Sequence, residues 1–353
     1  MQHSGSFRVA PFITWYALAH LTVDAACAYL VLARLDLKDC AILCFLIYNA
    51  IAFVLQAPIG WLIDKHLNPK LAAIAGLILV GSAFLFWNSL YAALIIVSVG
   101  NALFHVGGGS LVLSLKDKRA TFSGIYVAPG GMGLAIGSYL SISQFNINPM
   151  LFPLILIFFS LVLFFVEIPE FERVVEKKRT TKWSVLIIAL ILIPVVVRSL
   201  IGLSIDFPWK GNPYLIVILT AAIAAGKVFG GIIADRFGLI KVGVGGLLIS
   251  APLLAFFPSL PVIGILGIFV LNFTMPVTLV ALLSIMPDRR GLTFGLASAA
   301  LFVGAFPILI GRNDWIKSDS VVFSILLFAS FILYAALYFI DIRKPLNTEP
   351  HGL

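Results

Sequence analysis

Charge is what this sequence has least of: 11% of its 353 residues are charged, against about a quarter in an ordinary soluble domain. No hydrophilic run is longer than the segment from Glu167 to Lys182, which leaves no room for a soluble catalytic domain. Cysteine is scarce as well. Cys27, Cys40 and Cys44 form no even framework, and a disulfide scaffold is not expected. The apolar stretches hold no cysteine–histidine cluster, no paired carboxylates and no nucleotide-binding motif. The sequence therefore predicts no enzyme, no metal, no cofactor and no nucleic-acid partner. Period-2 alternation is absent too, which excludes a membrane β-barrel.

What the sequence has instead is apolar length, with 61% hydrophobic residues and a mean hydropathy of +1.09. Charged residues divide the chain into uncharged or nearly uncharged stretches at 9–33, 40–63, 71–115, 120–166, 183–205, 211–234, 242–287, 291–311 and 320–340. Six are one span long. The other three, drawn as single helices, would each reach about 68 Å, roughly twice a hydrocarbon core, so each must fold into two spans. Breakers mark the turns: Trp87-Asn88-Ser89, the polar run from Ser141 to Asn148, and Phe257-Pro258-Ser259-Leu260-Pro261. The expected fold is an all-α membrane protein of twelve transmembrane helices. The first apolar run lacks an A-x-A-like cleavage site and is read as a retained span.

The net charge of +8 is read as topology. With the amino terminus inside, the cytoplasmic segments carry Arg8, Lys65, Lys70, Lys116, Lys118, Arg119, Arg173, Lys177, Lys178, Arg179, Lys182, Arg236, Lys241, Arg289, Arg290, Arg343 and Lys344, whereas the external loops carry five basic residues. This predicts a multi-pass protein of the cell (inner) membrane with both termini cytoplasmic.

The two halves of the chain repeat. Gly60-Trp-Leu-Ile-Asp64-Lys65 aligns with Gly231-Ile-Ile-Ala-Asp235-Arg236, and Asp117-Lys118-Arg119-Ala120 with Asp288-Arg289-Arg290-Gly291, both 171 residues apart. The organisation that follows is a six-helix bundle over 1–166, a cytoplasmic linker over 167–182 and a second six-helix bundle over 183–353. Six spans repeated in one orientation place a substrate site near midplane between the halves.

The G-x-x-x-D-[RK] loops resemble the signature of the major facilitator superfamily, the second copy (Gly231 to Gly238) more closely than the first, which departs after Lys65 into His66-Leu67-Asn68-Pro69-Lys70. Within it, His20-Leu-Thr-Val-Asp24, Phe104-His105, Arg198-Ser199 with Gly202-Leu203, and Pro276 with Met286-Pro287 and Gly291 resemble the fosmidomycin-resistance branch of drug exporters. Phe104-His105 continues into Val106-Gly107-Gly108-Gly109, where that branch has a proline and an acid. Gly124-x-x-x-Ala128-Pro129-x-x-Met132-Gly133 is a partial likeness to an antiporter motif. The resemblance implies alternating access and gating roles for Gly60, Asp64, Lys65, Gly231, Asp235 and Arg236. It sets Asp64 against the start of span 11 near Thr293, and Asp235 against the start of span 5 near Thr121.

Ionisable residues inside spans are expensive, and they usually face a bundle interior or a wet cavity. Here they are His20, Asp24, His105, Arg198 and Lys227. Asp24 and Arg198 lie 174 residues apart, close to the repeat offset, which predicts a pair across the halves that either closes an empty site or fixes how the halves dock. Lys227 either joins that cavity or snorkels to the cytoplasmic interface. Asp24, Arg198, Lys227, His105, Asn101 and Asn272 are the expected substrate contacts, and His20, Asp24 and His105 the expected proton-coupling groups. Asn49 and Gln56 are further polar candidates. The sequence reads as a monomeric, gradient-driven secondary transporter of a small organic anion of carboxylate or phosphonate type, coupled to protons or to a counter-substrate. Proton-coupled export of hydrophobic or zwitterionic drugs, and a non-transporting sensor or scaffold, are the competing readings.

Overall fold

The computed structural model describes residues 3–34, 40–115, 119–143, 147–169 and 182–342. Most of the expected linker, both chain ends and the loop lysines Lys116 and Lys118 lie outside the described residues.

Twelve apolar helices follow one another: α1 (Val9–Ala33), α2 (Ile42–Lys65), α3 (Pro69–Phe86), α4 (Leu90–Leu113), α5 (Ala120–Ile142), α6 (Leu151–Phe165), α7 (Lys182–Ser204), α8 (Pro213–Phe237), α9 (Leu239–Phe256), α10 (Pro261–Ile285), α11 (Arg290–Leu309) and α12 (Asp319–Ile340). All but α6 are long and apolar enough to cross a membrane. With 15 residues α6 rises about 22 Å. Its last carbonyls are met by Lys70 Nζ, which donates to Phe164 and Val166 at 2.7 and 2.8 Å, a cation placed where a helix C-terminus is partially negative.

Local chemistry sets the ends. Asn68 and Asn212 cap α3 and α8 with their side-chain oxygens, each followed by a proline that has no amide to satisfy. Gly238, at φ +93°, makes the short turn from α8 to α9 in a conformation that L side chains rarely adopt. Two helices are irregular inside: α2 passes through a π-helical stretch at Ala50–Val54, and α10 is interrupted at Asn272 and Phe273. At the interruption the Ile268 carbonyl accepts both from the Asn272 amide at 3.2 Å and from the Asn272 side chain at 2.9 Å.

Large apolar side chains lie on the outside, as a bilayer requires; Leu85, Ile142, Phe165 and Val262 are each about three-quarters exposed. Packing inside depends on small residues. Helix α1 lies along α5 because Gly133 and Gly137 face the Leu21 and Ala25 carbonyls, where a Cβ would collide with backbone. The first six helices meet the last six along α2 with α11 and α5 with α8, which are equivalent pairs under the 171-residue repeat. A shallow groove between α1 and α6, lined by Trp15, Phe158, Leu161, Val162, Phe165 and Val166, is apolar and carries no group suited to recognition.

Gly137→Val should lower the melting temperature in detergent, with a loss of about 1–3 kcal/mol from overpacking. Gly245→Ala, where an added Cβ meets nothing within 4 Å, should cause no loss. Equal melting of the two variants would contradict this account of the α1–α5 contact.

Candidate functional site: a basic-end latch and a buried charge cluster

The first-turn amides of a helix have no intrahelical acceptor. At α11 the amides of Gly291 and Leu292 donate to Asp64 Oδ1 and Oδ2 at 2.7 and 2.8 Å. At α5 the amides of Ala120 and Thr121 donate to Asp235 at 2.8 and 3.0 Å, and the Thr121 hydroxyl adds a third bond at 2.5 Å. Adding 171 to Asp64, Ala120 and Thr121 gives the positions of Asp235, Gly291 and Leu292, so the sequence repeat is also a repeat of contacts. The glycines obey it too. A Cβ on Gly60 would strike the Gly291 carbonyl, and one on Gly231 the Ala120 carbonyl. One turn deeper, Gly295 faces the Gln56 carbonyl and Gly124 the Lys227 carbonyl. The lysine- and arginine-rich end is therefore closed.

Asp64 thus meets the start of α11 near Thr293, as the resemblance implies, through backbone amides and not through the threonine side chain. Thr293 Oγ1 donates to Arg289 of its own helix at 2.7 Å, and Asp64 takes the two preceding amides instead. The first loop, degraded after Lys65 in sequence, keeps its latch. Lys65 stacks on Trp61 at 4.1 Å and Arg236 lies over Phe237 at 5.4 Å, so both basic signature residues rest on aromatic neighbours of their own helices.

At mid-depth, α1, α4 and α5 bring His20, Asp24 and His105 together. His20 Nε2 stands 3.3 Å from Asp24 Oδ2, and His105 Nε2 stands 3.3 Å from Asp24 Oδ1. The other ring nitrogens face carbonyls: His20 Nδ1 lies 2.8 Å from the Tyr126 oxygen and His105 Nδ1 2.9 Å from the Asn101 oxygen. A carbonyl only accepts, so both Nδ1 atoms carry hydrogen and both Nε2 atoms are directed at the carboxylate. Gly130 makes room for the cluster, because a Cβ there would overlap His20 Nε2 and lie 2.5 Å from Asp24 Oδ2. Asn101 Nδ2 completes the surround, reaching Asp24 Oδ1 at 3.3 Å and both Cys27 Sγ and Tyr48 Oη at 3.4 Å.

This corrects one sequence expectation. Asp24 is engaged by the two histidines and Asn101, and among the described residues no ion pair joins it to Arg198. His20, Asp24 and His105 each offer one potential ligand atom, all within 4.8 Å of one another, a convergence that the sequence does not announce. Cys27, Tyr48, Tyr126 and Gly130 belong to the site and were not singled out for it. Cys27 has a sequence signal in its place three residues after Asp24 on one helix, whereas the tyrosines have none.

On the other side lie two cations. Arg198 on α7 has a buried Nε without a hydrogen-bond partner. Lys227 on α8 does not snorkel to the basic end: its Nζ crosses to α5, donates to the Val127 carbonyl at 3.2 Å and lies opposite Gly131. It is within electrostatic reach of both Arg198 and Asp24. Among the described residues, neither cation has a carboxylate at salt-bridge distance. Asn272, expected to contact substrate, is buried at the break in α10 and bonded to its own helix, although it is the repeat equivalent of Asn101. Gln56, the repeat equivalent of Lys227, donates to Ala52 at 2.7 Å and keeps a buried oxygen without a partner.

Twelve apolar helices in repeated sixes, latched at one end, with opposite charges part-buried between them, make up the fold of a secondary transporter. The chain belongs to the Major Facilitator Superfamily, whose family model matches residues 9–306. Solved structures similar to it include the E. coli fucose:proton symporter FucP, at 15% identity over 94% of this chain and 98% of that one, with a TM-score of 0.66. FucP in the outward conformation gives 0.67 at the same identity and coverage. The human organic anion transporter MFSD10 (TETRAN) is 14% identical over 94% of this chain and 99% of its own, with a TM-score of 0.66. No curated protein matches in sequence.

Asp64→Asn and Asp235→Asn should each open the basic end. Asparagine offers one acceptor oxygen where two amides need one, and a hydrogen bond to a charged group contributes about 1.5–3 kcal/mol. Spin labels at the basic ends of α2 and α11 should report longer distances in the variants. Distances unchanged in the double variant would mean that the latches do not hold this state.

Proposed function

We propose that this protein moves a small organic anion across the membrane by alternating access between the two six-helix bundles, residues 1–166 and 183–353, driven by a gradient. The observation that carries this reading is the pair of cations Arg198 and Lys227, part-buried between the helices without a carboxylate at salt-bridge distance among the described residues, while Asp24 faces His20 and His105. An unpaired buried charge is costly. An anion settling against Arg198 and Lys227 removes that cost, with the guanidinium suited to two-point contact with a carboxylate or phosphonate. A coupling cation is held at Asp24, on the first bundle. The two charges of a transport cycle then sit on different bundles.

The excess of lysine and arginine at the closed end supports a cytoplasmic location for that end and for both termini, in the cell membrane. The latches are then the cytoplasmic gate, with Gly60 and Gly231 allowing the backbone approach. Both latches are intact, which favours a carrier that moves over a sensor that kept only the shape. The segments resembling the fosmidomycin-resistance branch favour export, and a drug with an anionic group satisfies both observations.

The test is ligand-dependent stability. Carboxylates and phosphonates should raise the melting temperature of the purified protein, by the equivalent of about 2.7 kcal/mol at a hundredfold excess over Kd. The rise should disappear in Arg198→Ala and shrink in Lys227→Ala. Stabilisation by hydrophobic cations or neutral drugs alone, or by anions equally in wild type and Arg198→Ala, would overturn the anion reading.

A further inference from the structure

Three acceptor-bearing atoms converge at His20, Asp24 and His105, and the way they converge is informative. Both Nδ1–H groups are committed to backbone carbonyls, the second-sphere arrangement that fixes the tautomer of a metal-binding histidine and aims its Nε2 lone pair. With neutral rings, two lone pairs then face a carboxylate, which is repulsive unless positive charge sits among them. One proton relieves only one of the two contacts. Two protons or one divalent cation relieve both, and they bring the same charge.

The distances leave room for the second solution. A charge-assisted N–H···O bond closes to about 2.8 Å, whereas ligand atoms about 2.0 Å from a tetrahedral ion stand about 3.3 Å apart. Here His20 Nε2 stands 3.3 Å from Oδ2 and His105 Nε2 3.3 Å from Oδ1, so the carboxylate presents one oxygen to each ring, and the ligand atoms all lie within 4.8 Å of one another. The glycine at 130 keeps the space beside His20 and Asp24 clear of a side chain. Asn101 bonds Asp24 Oδ1, and this fixes the carboxylate. Asp24 and His105 retain 19% and 12% side-chain exposure, which gives an ion a way in and leaves a coordination position for water or an anion.

We infer that His20 Nε2, His105 Nε2 and the Asp24 carboxylate form a binding site for a divalent first-row transition ion, with Zn²⁺ the first candidate. Two imidazoles and one carboxylate suit such ions, whereas Ca²⁺ and Mg²⁺ take mainly oxygen ligands. The ion would seat on the first six helices, opposite the cations Arg198 and Lys227. Its existence does not depend on what those cations bind, and its failure leaves the anion reading standing.

Tag-free purified protein, titrated with Co²⁺ at one fixed pH, should develop the visible absorption of a tetrahedral site at one equivalent. Zn²⁺ should displace it. His105→Ala should weaken Co²⁺ binding more than about ten-fold, and so should Gly130→Ala, which keeps all three ligands and fills the space between them. Monodisperse elution of the variants shows that the loss is local. No absorption at one equivalent in wild type, or a band that survives in both His105→Ala and Gly130→Ala because the ion sits on His3, His66 or His351, would overturn the inference.

Discussion

Four backbone amides without acceptors of their own determine how the two halves of this chain meet. Those of Gly291 and Leu292 at the start of α11, and of Ala120 and Thr121 at the start of α5, receive the carboxylates of Asp64 and Asp235. A carboxylate at a helix N-terminus gains from two charge-assisted bonds and from the aligned peptide dipoles together. The backbones must come close for this, and Gly60 and Gly231 let them. The deeper contacts, Gly295 on Gln56 and Gly124 on Lys227, follow from the approach made at the end. One short motif, used twice, therefore sets the approach of α2 to α11 and of α8 to α5.

The charges so positioned are segregated. The first six helices hold a carboxylate with two imidazoles, and the last six hold a guanidinium and an ammonium. Repeat symmetry does not extend to chemistry: Asn101 bonds Asp24 while Asn272 bonds a carbonyl of its own helix, and Gln56 stands where the other half has Lys227. The scaffold is duplicated, but the charged site is not.

Depth along the membrane was readable from sequence and direction around a helix was less so. Continuous apolar length and its breakers give twelve spans, and a fixed offset between two loops gives the repeat. Asp24 and Arg198 were expected to meet because they share a depth, yet depth leaves the rotation of each helix open, and rotation turns Asp24 toward α4 and α5. The tyrosines at 48 and 126 enter by rotation as well. Lys227 shows the same limit, because both readings of it agreed on depth and differed only in where a flexible side chain ends. Thr293 lies one residue past the amides Asp64 takes, a distinction only backbone geometry supplies. The histidine cluster needed three helices to converge on the gap left by Gly130, and no spacing within one segment encodes that.

The bond from Lys227 to Val127 spans the boundary between the bundles. Separating α5 from α8 there strips the ammonium of its only described partner in a region where charge is poorly solvated. Under the proposed anion transport, an empty carrier that opens its basic end would leave a bare cation behind, and a carrier loaded with an anion would not. The same contact that helps hold the closed state would therefore suppress futile cycling. Tight stoichiometry between cargo and driving ion would then come from the energetic cost of moving unloaded, with no separate checkpoint needed.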